Sequence, residues 1–507
     1  MKNTTPHHHP KFGEFSSYLE RFQSGLHDIL ARHPEIETRN HLQGLSAYLV
    51  RKIHETTPLS VFIPEEFGGW GGRPKESLSL VEAAAYESLS VGLTFGINSA
   101  LFLDPVKKYA DHKVREEVLR KFVDEKAMGG LMITEPDFGT DALSMQTVYQ
   151  KVAGGYTIQG SKHWGGLTGL ANFWLVAARK ERENGKISRD LDLFICDMND
   201  AEQRIEVTEF YQKLGLFQIP YGRNEVDIKV PETHRLIPQT SGIKMMMDSL
   251  HRSRLRLSGI GLGFIKRILD EATTHCRERI VGKKALLEYD QVQYRLAEIQ
   301  AFFTLTSGLC LYASENTPLD TDLSGEGIQA NAMKAILTDM MQEAAQSFMQ
   351  LVGANGFRRD HIAGRAIIDC RPFQIFEGTN DVMYAQVSEM IMKQMIQGGQ
   401  MNLLSFMQNY KGAKKAAIEL NNLINISIQS NLSQRKNVIL GKLISSILAL
   451  NHTLVMANRG FSSQLIDQAI QMTRGRISTT LAGLNSAVCP GLQTERSTSV
   501  DWKNCAS

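Results

Sequence analysis

The chain predicts an α+β multidomain protein in which helical N-terminal and C-terminal parts flank a β-rich middle. Three observations carry this. Apolar residues recur at helical spacing from about residue 12 to 127, and again from Ile243 to about Met395. Between Gly129 and about Gln239 the chain is rich in glycine and short β-like runs. The 507 residues suffice for about three domains of usual size. The expected divisions are 1–128 (helical), 129–240 (β), 241–398 (helical bundle) and 399–507 (additional helices with a loose end).

In the first part, Phe22, Leu26, Ile29 and Leu30 mark one helix face. Phe62-Ile63-Pro64-Glu65-Glu66-Phe67-Gly68-Gly69 is a turn punctuated by proline and glycine. Val81 to Leu89 and Val106 to Phe122 again show apolar faces with charged backs. In the middle part, Thr147 to Val152, then Gly154-Gly155, then Tyr156-Thr157-Ile158 predict a hairpin. Phe173 to Ala178 and Leu193 to Asp197 are further strands, with Lys180 to Asp192 an exposed charged loop between them. In the bundle, one face carries Phe264, Ile268, Ala272 and Cys276, a second Leu296, Ile299, Phe303, Leu309 and Tyr312, and a third Met333, Leu337, Met341, Ala344 and Phe348. Asn316 to Gly327 is the linker before the third. Beyond residue 400, Leu440, Leu443, Ile444, Ile447, Leu448 and Leu454 form a wide apolar stripe, which should pack on the bundle or on another subunit. From about Leu484 the chain is Ser/Thr-rich and expected to be loose.

Composition sets bounds. Hydrophobic content of 42% and charged content of 22% are those of a globular protein. A net charge of +2 gives no argument for a nucleic-acid partner or an anionic membrane. Six scattered cysteines (Cys196, Cys276, Cys310, Cys370, Cys489, Cys505) with no C-x-x-C pair fit a reduced compartment and argue against a disulfide framework or zinc site. No metal is expected. Met1 to Pro10 is polar, contains His7-His8-His9 and lacks a signal-peptide profile; it reads as a disordered tail. A cytoplasmic location is expected over the mitochondrial matrix, there being no clear transit peptide. No uninterrupted run of 18 apolar residues occurs, so no transmembrane segment is expected.

Several short stretches can carry chemistry. In Gln374-Ile375-Phe376-Glu377-Gly378-Thr379-Asn380-Asp381 a carboxylate sits between a hydrophobic run and a Gly-Thr turn. Burial there would raise its pKa, which suits a general base; a loop charge or cap is the simpler reading of the octapeptide by itself. Thr134-Glu135-Pro136-Asp137-Phe138-Gly139-Thr140-Asp141 offers two hydroxyls and a glycine to a polar cofactor edge, or is a turn before a strand. Gly160-Ser161-Lys162-His163-Trp164-Gly165-Gly166 sets an aromatic plane beside glycines, suited to a flat ring or to a core. Arg252, Arg254 and Arg256 could include one that orients a carboxylate; at least two of the three are expected on a solvated basic face. Gln350-Leu351-Val352-Gly353-Ala354-Asn355-Gly356-Phe357 is a helix stop or a place where backbone approaches a pyrophosphate. Gly259-Ile260-Gly261-Leu262-Gly263 is not a dinucleotide fingerprint, since no strand precedes it; close helix packing is expected instead.

Taken in order, these stretches resemble the acyl-CoA dehydrogenase family over about residues 40 to 395. The likeness rests on Ile133-Thr134-Glu135-Pro136 with Gly139-Thr140-Asp141, on Lys162-His163-Trp164, on Arg279 after Cys276-Arg277-Glu278, on Gln350 to Gly356, and on Phe376-Glu377-Gly378-Thr379. The resemblance implies an N-terminal helical domain, a middle β-barrel domain and a C-terminal four-helix bundle, with FAD held between barrel and bundle in a homodimer or dimer of dimers. It implies that Leu131, Ile133, Thr134, Gly139 and Thr140 line the flavin and the substrate carbonyl side. Trp164 would pack on the isoalloxazine, with Gly166 near its reacting nitrogen, and Thr379 and Asp381 would reach the cofactor. Arg279, Gln350 and Gly353 would contact the partner subunit's FAD. Thr140, Arg254, Phe376 and Gly378 would lie at the acyl-CoA substrate.

The implied reaction is α,β-dehydrogenation of an acyl-CoA to the trans-2-enoyl-CoA in fatty acid metabolism, with Glu377 as base and a hydride passing to flavin N5. The implied acceptor is electron-transfer flavoprotein or another. Three departures from the family pattern stand out: Gly166 where a hydroxyl residue is common, Ile368-Asp369 where an Arg-Asp pair is usual, and Phe376 where tyrosine is frequent. The alternatives are an acyl-CoA oxidase using dioxygen and a flavin-free binding or assembly relative.

Overall fold

The computed structural model describes His8–His9 and residues 13–485. Cys489, Cys505 and the Ser/Thr-rich end lie outside the described residues. Part of the expected N-terminal tail is ordered: His8–His9 pairs antiparallel with Gly13–Glu14.

The N-terminal part is helical. Helix α1 (Phe15–Arg32) buries Tyr18, Phe22 and Leu26 at i, i+4, i+8. Helix α2 (Pro74–Glu87) begins on a proline, which lacks the N–H that a first turn leaves unpaired. Ser88 then caps the next helix by accepting from the Val91 N–H at 3.3 Å. That helical run, Leu89–Tyr109, is α-helical at both ends and carries π-helical turns over Ile97–Leu103. The expected stretch from Val106 to Phe122 is two helices, because Ala110 is extended and Asp111 caps α3 (His112–Asp124) through the Lys113 N–H at 3.0 Å.

The middle part is a curled seven-stranded sheet: β1 (Gly129–Met132), β2 (Val148–Val152), β3 (Gly155–His163), β4 (Phe173–Glu181), β5 (Ile187–Asp197), β6 (Glu206–Phe210) and β7 (Gly222–Pro231). Its hydrogen-bonded order is β1-β4-β2-β3-β7-β6, with β5 on the other side of β4. β1 and β2 run parallel to β4, and the remaining pairs are antiparallel. The expected hairpin is β2–β3, with Val152 opposite Gly155. The expected loop from Lys180 to Asp192 is mostly strand: β4 runs to Glu181 and β5 starts at Ile187. Arg182, Glu183 and Lys186 stay in the turn between the two strands, and Asp192 within β5 is buried against Arg235 at 2.8 Å.

The C-terminal part is a bundle of α4 (Gly242–Glu278), α5 (Asp290–Asn316), α6 (Gly327–Val352) and α7 (Asn380–Gln397). The glycine triplet in α4 packs as expected. A Cβ on Gly259 would stand 2.7 Å from Val81, one on Gly261 2.5 Å from Leu337, and one on Gly263 2.1 Å from the Glu82 carbonyl. The small residues let α4 touch α2 on one side and α6 on another. The three alternating arginines are not on a solvated face: Arg252, Arg254 and Arg256 are all buried. Each finds acceptors on other elements, although Arg254 Nε is left without a hydrogen-bond partner. Arg252 pairs with Asp248 at 3.1 Å and Arg256 with Asp104, and both also donate to the Thr317 carbonyl.

The segment after residue 398 is part of this core. Helix α8 (Gln434–Ala457) packs on α5, α6 and α7, and α9 (Ser463–Asn485) packs on α8 and α5. Leu440, Leu443, Ile444, Ile447 and Leu448 are fully buried. Two close crossings fix the seat of α8: a Cβ on Gly441 would stand 1.9 Å from the Tyr384 carbonyl, and one on Gly308 2.7 Å from the Thr453 nitrogen. By length and hydropathy, Leu89–Tyr109, Asp290–Asn316 and Gln434–Ala457 reach the membrane-spanning range, which corrects the expectation that no segment would qualify. In the most apolar window of each, 83%, 56% and 67% of the residues are buried inside the protein. A helix apolar on most faces is what a large core also requires.

Gly441→Leu should drive a side chain into α7 backbone that cannot move aside. A loss of about 1–3 kcal/mol or more is expected, read as a lower urea midpoint. An unchanged midpoint would show that α8 does not crowd α7.

Candidate active site

Glu377 lies on the loop between a 3₁₀ turn (Arg371–Gln374) and α7. Its backbone is left-handed, φ 54°, which is uncommon away from glycine. The following residue, Gly378, has φ 97°. Neighbours hold this turn from both sides. Arg254 donates to the Glu377 carbonyl at 2.8 Å, and Lys334 donates to the Gly378 carbonyl at 2.7 Å. Asp339 of α6 accepts from Gln374 and from Asn380, both at 2.7 Å, so one carboxylate fastens the loop before and after Glu377.

The Glu377 carboxylate is enclosed although the residue as a whole is half-buried. Oε1 accepts from Ser253 Oγ at 2.7 Å; Oε2 is buried with no hydrogen-bond partner. Burial raises its pKa, against the lowering pull of Arg254, the Ser253 hydrogen bond and Lys334. Burial also pushes the Lys334 ammonium down to about 7. Ser253, Lys334, Asn331 and Asp339 were not singled out in the sequence. Ser253 stands between two arginines, and the other three sit on α6, where the apolar face is the signal that the sequence carries.

Glu377 faces a cavity of about 390 Å³ where the Leu89–Tyr109 run, the sheet, α4 and the start of α7 meet. Leu131, Ile133, Thr134, Gly139 and Thr140 line its sheet side. Trp164 and Gly166 line it after β3, and Arg254, Phe376 and Gly378 on the bundle side. These expected residues come from four stretches far apart in the chain. His163, Tyr221 and Gln386 also line it and were not expected to. Thr379 and Asp381 lie outside the lining: Thr379 is the N-cap of α7, and Asp381 is exposed in its first turn. Arg279, Gln350 and Gly353 are likewise outside it, exposed on the bundle surface.

Trp164 is 52% exposed, has φ 58°, and leans on Tyr211 with ring centroids 4.7 Å apart. Gly166 has a steric reason: a Cβ there would stand 2.7 Å from Ile97 Cδ1. Ile97 occupies the space that a side chain at 166 would need. Beneath the sheet side, Lys162 and Glu135 form a fully buried ion pair at 2.8 Å, and Glu135 also accepts from the Gln146 and Thr147 N–H groups. This pair locks the loop carrying Thr134 to β3, which ends at His163 just before Trp164. Among the described residues no cluster of His, Cys, Asp and Glu is placed to hold a metal.

The donor set fits a flavin. An exposed aromatic plane, a glycine pair and the Thr134 and Thr140 hydroxyls share one wall, opposite an enclosed carboxylate. Fold and site together define a flavin-dependent oxidoreductase. Models of the N-terminal, middle and C-terminal domains of acyl-CoA dehydrogenases match residues 20–126, 130–227 and 240–392. The chain belongs to the acyl-CoA dehydrogenase family, whose cofactor is FAD. It is 22% identical over 368 residues to an acyl-CoA dehydrogenase of Bacillus subtilis, covering 71% of this chain and 93% of that protein. It is 24% identical over 363 residues to a short-chain specific acyl-CoA dehydrogenase of Megasphaera elsdenii, covering 69% and 91%. The structure of a Bacillus anthracis acyl-CoA dehydrogenase complexed with FAD shares the fold at a TM-score of 0.74 and 17% identity, covering 93% of this chain and 89% of that one. A likeness over 93% of the chain extends into the segment beyond residue 398.

Two outcomes test the site. Gly166→Thr should lose about 1–3 kcal/mol of stability by overpacking and retain less FAD; adding Ile97→Ala should restore much of both. No rescue in the double variant would place the clash elsewhere. Because burial raises the folded-state pKa of Glu377, its stabilising contribution is present below the ordinary carboxylate range and is lost as pH rises through the folded value. Glu377→Gln should therefore melt above wild type at pH 8, with the gap closing below about pH 4. A gap that widens on acidification would contradict the raised pKa.

Proposed function

We propose that this protein catalyses α,β-dehydrogenation of an acyl-CoA thioester to the trans-2-enoyl-CoA, with Glu377 as the base. The observation that carries the reading is the Glu377 carboxylate: enclosed, one oxygen held by Ser253 and the other unpartnered, at the wall of the flavin-sized cavity. Such a group can take a proton from a carbon beside a carbonyl, because loss of its own charge relieves the cost of burial.

FAD, when bound, supplies the acceptor for the hydride that leaves Cβ. Leu131, Ile133, Thr134, Gly139, Thr140, Trp164 and Gly166 would hold its ring. Glu377 takes the α-proton onto Oε2 while Ser253 keeps Oε1 in place. The Glu377 N–H donates to no group among the described residues, and is available to the thioester oxygen, where negative charge develops. Phe376, Gly378 and Thr140 line the same space and would exclude water from the thioester. Arg254 holds the Glu377 carbonyl and Asn331, at 2.8 and 2.7 Å, and so orients the base.

A homodimer or dimer of dimers is part of this proposal. Arg279 precedes exposed Ile280 and Val281, and Gly353 precedes Phe357, which is 84% exposed. These exposed apolar side chains support a subunit contact on this face, where Arg279, Gln350 and Gly353 would meet the second subunit's FAD. Electron-transfer flavoprotein is the proposed acceptor of the electrons. A cytoplasmic setting is also part of the proposal, and the four free cysteines among the described residues are compatible with a reducing compartment.

Glu377→Gln should still bind FAD and acyl-CoA. Flavin bleaching by acyl-CoA in anaerobic stopped-flow should fall by ~10²–10⁴-fold. Glu377→Asp, with its base drawn back on the order of 1 Å, should lose ~10²-fold. Bleaching at the wild-type rate in Glu377→Gln would put the base elsewhere.

A further inference from the structure

Behind Glu377 lies a second, smaller chamber of about 20 Å³. It shares Leu93, Ile97, Leu101 and Glu377 with the main cavity, so the carboxylate stands between the two. The space holds about one water molecule or one small group. Leu78, Val81, Leu257 and Ile260 make most of its wall apolar. The wall is backed by the tight α4–α2 crossing, where Gly259 meets Val81 and Leu78.

Five polar side chains also line it: Ser77, Ser99, Ser253, Arg256 and Glu377. Three are already occupied within the protein. Ser99 donates to the Gly96 carbonyl at 3.2 Å and Ser253 to Glu377 at 2.7 Å. The Arg256 guanidinium is divided between Asp104 and both oxygens of Thr317. Two polar atoms are left, Ser77 Oγ and Glu377 Oε2, each buried with no hydrogen-bond partner. Ser77 is 3% exposed. A buried hydroxyl with no partner is costly, and an apolar wall cannot relieve it. Glu377 Oε2 is the atom that receives the α-proton. Ser77 has no part in that step.

We propose that this chamber takes the end of a short acyl group bearing a hydrogen-bonding oxygen one or two atoms beyond Cβ, and that Ser77 recognises that oxygen. The proposal rests on the acyl-CoA reading above and names its substrate class. With Cα at Glu377, an acyl chain that continues past the carboxylate would enter this chamber, and about 20 Å³ admits little more than a hydroxyl or methyl-sized terminus. A long straight chain has no room without displacing Leu257 or Ile260. A site built to hydrogen-bond a substrate hydroxyl discriminates strongly against the analogue lacking it, because the protein's own polar atom is then left unpaired. Pentanoyl and 4-hydroxybutyryl groups have the same number of heavy atoms and differ by methyl against hydroxyl, so they isolate this term.

The test uses the full-length, FAD-loaded protein. Calorimetric titration compares 4-hydroxycrotonyl-CoA with trans-2-pentenoyl-CoA, the two enoyl products. Anaerobic flavin bleaching compares 4-hydroxybutyryl-CoA, pentanoyl-CoA and octanoyl-CoA. The hydroxylated ligand should bind and react at least about tenfold better than its methyl counterpart, with octanoyl-CoA poorest. Ser77→Ala should lower kcat/KM for 4-hydroxybutyryl-CoA about tenfold more than for pentanoyl-CoA. Equal or better binding of the methyl compound by wild type overturns the proposal without any variant, as does a Ser77→Ala effect equal on both. If octanoyl-CoA is the best substrate, the chamber does not bound the acyl group and the proposal also falls, while the dehydrogenase reading stands. If no thioester bleaches the flavin, the reading beneath it falls as well.

Discussion

The structure turns on one unfavourable placement: a glutamate carboxylate taken out of water, on a backbone in the left-handed region, with one oxygen unpaired. Nothing local favours this. A residue at φ 54° costs on the order of 1–3 kcal/mol and persists only where its surroundings over-determine it. Those surroundings are visible. Arg254 from α4 holds the Glu377 carbonyl, Lys334 from α6 holds the next one, and Asp339 grips the loop on both sides. Three side chains from two helices of the bundle thus converge on the loop that carries Glu377.

The supports are themselves buried and need their own partners. Arg254 also donates to Asn331, which donates to Gln386 at 2.9 Å. Two residues to either side, Arg252 and Arg256 tie α4 to the Thr317 carbonyl at the end of α5, and Arg256 reaches Asp104 in the N-terminal part. Buried ion pairs of this kind add little net stability, since desolvation offsets attraction, but removing one partner is severe. Their effect is positional: they fix the register of α4 against both domains, and Ser253 and Arg254 ride on that register. Helix α8 serves the same end from outside the site. By seating Gly441 on Tyr384, whose hydroxyl donates to Asp339 at 2.8 Å, it presses on the helix that begins three residues after Glu377.

Much of this was legible in the chain. The 3.6-residue period marked the bundle helices and the apolar stripe of α8, because burial on one face leaves that trace whatever the partner is. The β2–β3 hairpin was legible from its glycines and alternation. The Glu-Gly-Thr turn, the Thr134 stretch and Trp164 were legible as chemistry-bearing stretches in a familiar order, and the structure gathers them around one cavity. The misreadings share a cause. At least two of the three alternating arginines are expected in solvent, and Lys180 to Asp192 as an exposed loop, on the rule that charge means exposure. In both cases a distant acceptor or strand compensates the charge, and no local pattern records such a partner.

What the sequence determined by itself was therefore what is local or repeated: the helical periods, the strand alternation, the turn residues, and the identity of the carboxylate and its flanking glycine. Burial of one face and the allowed backbone angles of glycine are properties of short stretches. What only the tertiary structure decided was which groups meet. Ser253 against Glu377, Lys334 under Gly378, Ile97 in place of a side chain at 166, and Ser77 left without a partner behind the base are all contacts between residues tens to hundreds of positions apart. Their geometry follows from close packing of helices and sheet, in which a shift of less than one atom's width at Gly441 or Gly263 would move the site. No single stretch of chain contains that information.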